Sequence, residues 1–289
     1  MRAYGVVFGV VALLGVVPLL LGDNPYVLGM GISFLMMAGL ASAWNIPGGF
    51  AGQYSFGHAV YFGAGAYTTL ILVQGFGVHV VVALFAGTVV AMLLALLTGA
   101  IVFRLRGHYF ALASIAVAEI VRLSVLNAEI TGGAQGLLLD TVSLWGLDLE
   151  SKIPFFYGML LVLAGVLLLT VSLERSRMGY LLQAVREDQD AASSLGINVF
   201  WLKVRALLLS AFVTALCGSL YGLYIRYIDT GGVLELRLSI EIILMAIIGG
   251  VGTVWGPFVG ALVLVPLAEV LRSNLIGSWL VDSGMVAPD

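Results

Sequence analysis

Charge is what this chain has least of. Of 289 residues, 10% are Asp, Glu, Lys or Arg and 61% are hydrophobic, giving a mean hydropathy of +1.10. Water-soluble domains carry roughly 25% charged residues, so a soluble domain is excluded and the apolar surface is expected to face lipid. The net charge of -3 leaves no basic face, which excludes nucleic acid as a partner. The single cysteine, Cys217, lies in an apolar segment, so there is neither a disulfide framework nor a cysteine metal site. His58, His79 and His108 stand on separate segments, and the chain has no His-Glu metalloprotease spacing and no Gly-Lys-Ser/Thr phosphate loop. No enzyme, resident metal or nucleotide site is therefore expected. Residues 3–22 follow a positive residue without a small-residue cleavage pattern and read as a retained signal anchor.

Long hydrophobic runs are abundant. A helix crossing the hydrocarbon needs about 20 apolar residues and must satisfy its own backbone. Apolar blocks fall at 3–22, 26–46, 57–75, 78–103, 109–127, 154–173, 204–225, 238–250 and 254–271. The last two are interrupted by Gly249, Gly250, Gly252, Gly256 and Pro257 and read as a hairpin, a broken helix or a re-entrant pair. The fold class is an all-α polytopic membrane protein of about eight or nine transmembrane helices, one domain over 1–289, with a re-entrant Gly-rich segment as one of its readings.

Basic residues of short loops set orientation. With the N-terminus cytoplasmic, Arg2, Arg104, Arg106, Arg175, Arg177, Arg186, Lys203 and Arg205 lie inside, against Lys152, Arg226, Arg237 and Arg122 outside. Segment 174–203 is then cytoplasmic and segment 128–153 external, the latter carrying Glu129, Asp140, Asp148 and Glu150. Within it, Thr131-Gly-Gly-Ala-Gln-Gly136 reads as a surface turn or as a turn offering backbone N–H groups to a carboxylate.

Three constellations carry polar groups into the apolar blocks. In Pro47–His58, Gln53, Ser55, Gly57 and His58 occupy a run that proline and glycines keep from being a plain helix. It is either a re-entrant segment lining a substrate path or a turn packed closely through Gly63 and Gly65. Glu119 and Arg122 share a helix face and pair, or Glu119 meets solute. Glu241 sits in an apolar block at an interface or on a cavity. The runs Gly48-Gly49-Phe-Ala-Gly52 and Gly249-Gly250-Val-Gly252 echo one another, as paired interruptions do in inverted repeats around transport sites.

The fourth constellation is a polar island, Gly179–Ile197, between two hydrophobic blocks. Arg186 to Leu195 is expected to form a short helix with Glu187, Asp188 and Asp190 early in it, where the dipole favours negative charge. Gly196 stands where a left-handed cap is wanted, with Ile197 as its apolar partner. Ala191, Ala192, Ser193 and Ser194 are small enough to enter a groove on another protein, with Leu195 and Ile197 as anchors. A solvated surface helix explains the charges but not the small residues.

At these residues the chain resembles the branched-chain amino acid ABC transporter permease family, and within it the LivM-type subunit. Four stretches carry the resemblance: Asn45–Tyr67 with Gly-Gln-x-Ser-x-Gly-His, Arg104–Arg122, Arg177–Asn198, and Ile242–Gly260 with Ile-Gly-Gly-Val-Gly-Thr-Val-Trp-Gly-Pro. The resemblance implies a bacterial inner-membrane permease working with two cytoplasmic ATPases, a second homologous permease and a periplasmic solute-binding protein. ATP and Mg would bind those ATPases, with no cofactor in this chain. It also implies that 186–197 receives ATPase motion, and that the solute is a branched-chain amino acid or a similar small polar molecule, relatives serving urea and short amides. Two departures stand out: Asp190 where the family generally has Glu, and Asn45-Ile-Pro47 in place of an apolar run. Without the resemblance, an ion-coupled transporter and a scaffold remain as readings.

Overall fold

A computed structural model describes residues 2–22, 24–139, 143–144, 147–148 and 151–272. Its helices are α1 (Arg2–Gly15), α2 (Val17–Leu21), α3 (Pro25–Asn45), α4 (His58–Leu70), α5 (Val80–Val102), α6 (His108–Asn127) and α7 (Ile153–Glu174). They continue with α8 (Arg177–Glu187), α9 (Gln189–Ser194), α10 (Val199–Ile225), α11 (Thr230–Val233), α12 (Leu236–Gly250) and α13 (Gly256–Arg272). Five-residue π-helical turns extend α3 over Ile46–Phe50 and α4 over Ile71–Gly75.

Caps set the helix starts. The Asn24 side chain accepts from the Tyr26 and Val27 amides with Pro25 in the first turn, and Asn198 caps α10 at Trp201. Among the described residues, six helical stretches are long and apolar enough to cross a membrane: 3–20, 25–50, 80–102, 108–127, 153–174 and 199–225. The protein is a multi-pass membrane protein. The other apolar blocks form α4, α12 and α13, which are shorter.

Long-range contacts give each helix a direction. Arg175, after α7, lies 5.7 Å over the Tyr4 ring of α1, so the N-terminal end of α1 and the polar island share one end of the bundle. At the same end Arg106, between α5 and α6, pairs with Asp190 at 2.7 Å. At the opposite end Lys152 Nζ donates to the Pro25 carbonyl, Tyr26 donates to Glu269, and β1 (Leu137–Leu138) pairs antiparallel with β4 (Tyr227–Ile228). The turn at Gly132–Gly136 therefore serves that pairing: a methyl on Gly136 would run into the Ile228 carbonyl. Between them, β2 (Ser143–Leu144) and β3 (Leu147–Asp148) make a second antiparallel pair. Asp140 and the Asp148 and Glu150 side chains lie outside the described residues.

α10 is the axis, packed by α3, α4, α5 and α7. Association inside lipid depends on close packing rather than on hydrophobic transfer, and small residues provide it. A methyl on Gly218 would strike the Phe62 carbonyl, and one on Gly65 the Ala215 carbonyl. Gly65 thus fits the close-packing reading of its segment.

Two helices start inside the bundle. His58, the first residue of α4, bonds Ser210 Oγ through Nε2 at 2.8 Å. At 1.5 Å per residue, Ser210 lies about 16 Å along α10 from the island end. One residue on, the Ala59 amide donates to Ser239 Oγ of α12 at 3.0 Å. α12 therefore starts at the depth of α4 and runs back toward the island, where Gly252 meets Gly49 and Arg186, while α4 runs the other way. The two helices stand N-terminus to N-terminus in the interior. Chain that is not helical at this depth requires protein or water around it. Around α4 three serines provide this: Ser114 Oγ accepts from the Phe56 amide, Ser55 Oγ from Gly57 and Ser239 Oγ from Ala59.

Candidate coupling and translocation site

The island folds as two helices, not one. Asp188 adopts an extended backbone between α8 and α9, which corrects the single helix expected over 186–195. Its carboxylate earns this break: it accepts from the Ala191 amide at 3.0 Å and the Asp190 amide at 2.8 Å, capping α9. Those two bonds, Ala191 first, hold the Asp188 carboxyl below the usual carboxylate range. At the other end Gly196 has φ +82°, its amide bonding the Ser193 carbonyl and the Ile197 amide the Ala192 carbonyl. That is a Schellman closure, with Ile197 half-buried against the core.

The faces of α9 differ from the expected docking surface in one respect. Ala192 is 3% exposed and packs into the protein's own core, so it is not free for a partner's groove. Ala191, Ser193, Ser194 and Gly196 are exposed, and Leu195 is 83% exposed. Asp190 is exposed and paired with Arg106, Glu187 is exposed, and buried Lys203 holds Gln189 Oε1 at 2.8 Å.

Arg186 points the other way. Its Nη1 donates to the Gly49 carbonyl at 2.9 Å and crowds Gly252, so strongly that a methyl at Gly252 would meet the guanidinium. Beside it Asn45, fully buried, donates to the Thr253 carbonyl at 2.8 Å and accepts from the Gly252 amide at 2.8 Å. The two glycine-rich interruptions are thus packed together, with a methyl on Gly49 striking Asn45 Oδ1. Asn45 was expected only as a departure from the family pattern; its complementary amide now explains it. Arg186 joins the island to both interruptions at once.

The six substrate-path candidates do not converge. Gln53 is 4% exposed and donates to the Ala51 carbonyl of its own turn. His58 is fully buried against Ser210. Ser55 and Gly57 border a cavity of about 20 Å³ between α4, α5, α6 and α10, room for about one water. Glu119 forms a bidentate pair with Arg122, 2.5 and 2.8 Å, with its side chain about half exposed. The pairing reading describes it, and it does not line the large cavity. Glu241 does. It stands in a cavity of about 550 Å³ between α3, α12 and α13, bonded at 3.1 Å to Arg237 one turn earlier.

Among the described residues, no group of three or more His, Cys, Asp or Glu side chains is placed to hold a metal ion.

Comparison with known proteins places the chain in a family. Residues 26–284 match a family described as branched-chain amino acid transport system / permease component. The chain is 27% identical to the high-affinity branched-chain amino acid transport system permease protein LivM of Escherichia coli K12, over 84% of this chain and 63% of that protein. It therefore spans less than two thirds of the length of that relative. It is 30% identical to LivH of the same organism over 40% of this chain and 37% of that protein. The autoinducer 2 import system permease protein LsrC of Yersinia enterocolitica is 28% identical over 53% and 43%. No solved structure gives a significant match.

Proposed function

Because the chain belongs to the branched-chain amino acid transport system permease component family, we propose that it is a permease subunit of an ATP-driven importer in the bacterial inner membrane. It takes up a branched-chain amino acid or a similar small polar solute. Its partners are two cytoplasmic ATPases, which bind the ATP and Mg, a second homologous permease and a periplasmic binding protein. The island faces the cytoplasm, as the bias of basic residues toward its end supports.

The observation that carries the reading is the double attachment of the island. Exposed Leu195 and the small residues of α9 offer a contact to an ATPase. Arg186, on the adjoining helix, holds the Gly49 carbonyl, and Asn45 ties that turn to Gly252 and Thr253. A push on α9 is thereby delivered to both breaks in the bundle, which are the points where irregular backbone gives way most easily. Alternating access in transporters is largely a rocking of one part of the bundle against another, and a push at these contacts would feed such a motion.

The test is uptake by proteoliposomes carrying this chain with the ATPases, second permease and binding protein. The importer reading expects leucine uptake that requires ATP, and ATP hydrolysis that rises when solute-loaded binding protein is added. Uptake that persists without ATP and collapses with an ion gradient would move the chain to the ion-coupled class. The identity of the solute follows from the same assay by competition, the relationship to an autoinducer 2 permease making a wider panel worthwhile.

A further inference from the structure

Lys203 is the one Lys, Arg, Asp or Glu among the described residues that is buried, at 2% exposure. It stands in the first turns of α10, at the island end. An ammonium out of water needs compensation from its partners, yet none of the ion pairs among the described residues includes Lys203. Its Nζ donates to Gln189 Oε1 at 2.8 Å and lies 5.9 Å from the centre of the Phe103 ring, close enough for a cation–π contact. Gln189 is the first residue of α9 and is half-buried. The buried charge is thus satisfied by the helix that is offered to the ATPase. The other attachment at this end of α9 is the Arg106–Asp190 pair, whose side chains are 63% and 76% exposed, and such a pair holds little. The seating of the start of α9 therefore depends on Lys203.

We propose that Lys203 is a positioning residue for coupling, and that its bond to Gln189 is a releasable latch. It seats α9 against α10 while the ATPases are at rest. It parts when ATP-driven motion of the ATPases carries α9 outward, and water then reaches Nζ in place of the amide. The acceptor's chemistry suits release. A carboxylate at 189 would make a buried ion pair, which is strongly destabilised when one partner is withdrawn. A bond to a neutral amide is lost at smaller cost, and the half-buried position of Gln189 leaves water a short way in. The latch rests on the importer reading and adds to it the contact that fixes the resting position of α9.

The chain has two lysines, Lys152 and Lys203. A brief pulse of sulfo-NHS acetate on the full complex in nanodiscs, read by mass spectrometry, therefore follows Lys203 with Lys152 as internal reference. Lys203 is expected to stay unmodified without nucleotide. During ATP turnover with solute-loaded binding protein it is expected to react at least about tenfold faster, the scale of one lost hydrogen bond to a charged group, while Lys152 reacts alike in both conditions. Gln189→Glu converts the latch into an ion pair. It is expected to raise the thermal midpoint of the complex and to lower ATP-driven uptake by about tenfold, whereas a purely structural role moves the two in the same direction. Lys203→Met, an apolar side chain in place of the buried charge, is expected to speed protease cleavage of 186–197 and to lower uptake; should it fail to fold, Gln189→Glu and the labelling decide. Slow acetylation of Lys203 with and without ATP, in a complex that takes up solute with ATP, overturns the latch while the importer reading stands. Rapid acetylation without nucleotide, or an acceleration shared by Lys152, overturns it as well. So does Gln189→Glu with undiminished uptake, or with midpoint and uptake falling together. A complex without ATP-driven uptake sinks the importer reading and the latch with it.

Discussion

At the residue scale, Ala192 departs from the docking role its neighbourhood suggests, while Leu195 is exposed as an anchor would be. Both lie in a run of small and apolar residues, yet one is buried in its own protein and the other is bare. Leu195→Asp is therefore expected to reduce co-purification of the ATPases by about tenfold, the scale of a central apolar contact, with insertion and helix content unchanged. Ala192→Trp disturbs the seating of α9 itself, so its effect on association does not separate docking from folding. Asp188 carries a pH dependence. Its carboxyl is held low by the Ala191 and Asp190 amides, so its contribution is present above the unfolded value, about 3.9, and is lost as pH falls through the folded value. Asp188→Ala is expected to loosen α9 at neutral pH, measured by protease cleavage of 186–197, and the difference from wild type is expected to vanish in acid. The Gly196 closure was legible in the sequence because a helix end is local chemistry. The inward turn of Arg186 was not, since the carbonyl it reaches lies 137 residues away.

At the scale of elements, the apolar block near 57–75 reads as an ordinary span and the block near 238–250 as part of a hairpin, a broken helix or a re-entrant pair, and neither reading gives a depth. Hydropathy registers apolarity and length, and it does not register where along the bundle a helix begins. That depth comes from three hydroxyls, Ser114, Ser210 and Ser239, which bond α4 or its approach from three other helices. Ser239→Ala leaves the Ala59 amide without its acceptor in a buried place. The expected loss is about 1–3 kcal/mol, read as a lower thermal midpoint of the purified complex, while Ser239→Thr retains the hydroxyl and most of the stability. The glycine echo between 48–52 and 249–252 was visible as a pattern. Its meaning is a contact: the two glycine runs approach closely enough for Gly49 and Gly252 to touch, and Asn45 supplies the hydrogen bonds. Glycine is needed at Gly252 on two counts, a φ of +80° and the guanidinium beside it.

At the scale of the whole molecule, the Arg175–Tyr4 contact and the Arg106–Asp190 pair put the N-terminal end of α1, the 103–107 turn and the island on one side. In intact cells an impermeant maleimide is expected to label Gln135→Cys and to label Ser193→Cys only after permeabilisation; the reverse result inverts the orientation. The family rested on the resemblance of four motif stretches, composition alone determined that the chain lives in lipid, and the order of its polar and apolar segments determined the helical class and the island. These follow from one-dimensional quantities, hydropathy, loop charge and local capping. Only the tertiary structure decided that α4 and α12 begin in the interior facing one another, that Arg186 and Asn45 bind the island to both breaks, and that Glu241 rather than Gln53 or His58 stands in the large cavity. The reason is physical: within an apolar bundle every span has much the same hydropathy. The few hydrogen bonds that set depth and direction join residues far apart in the chain, and no periodicity records them.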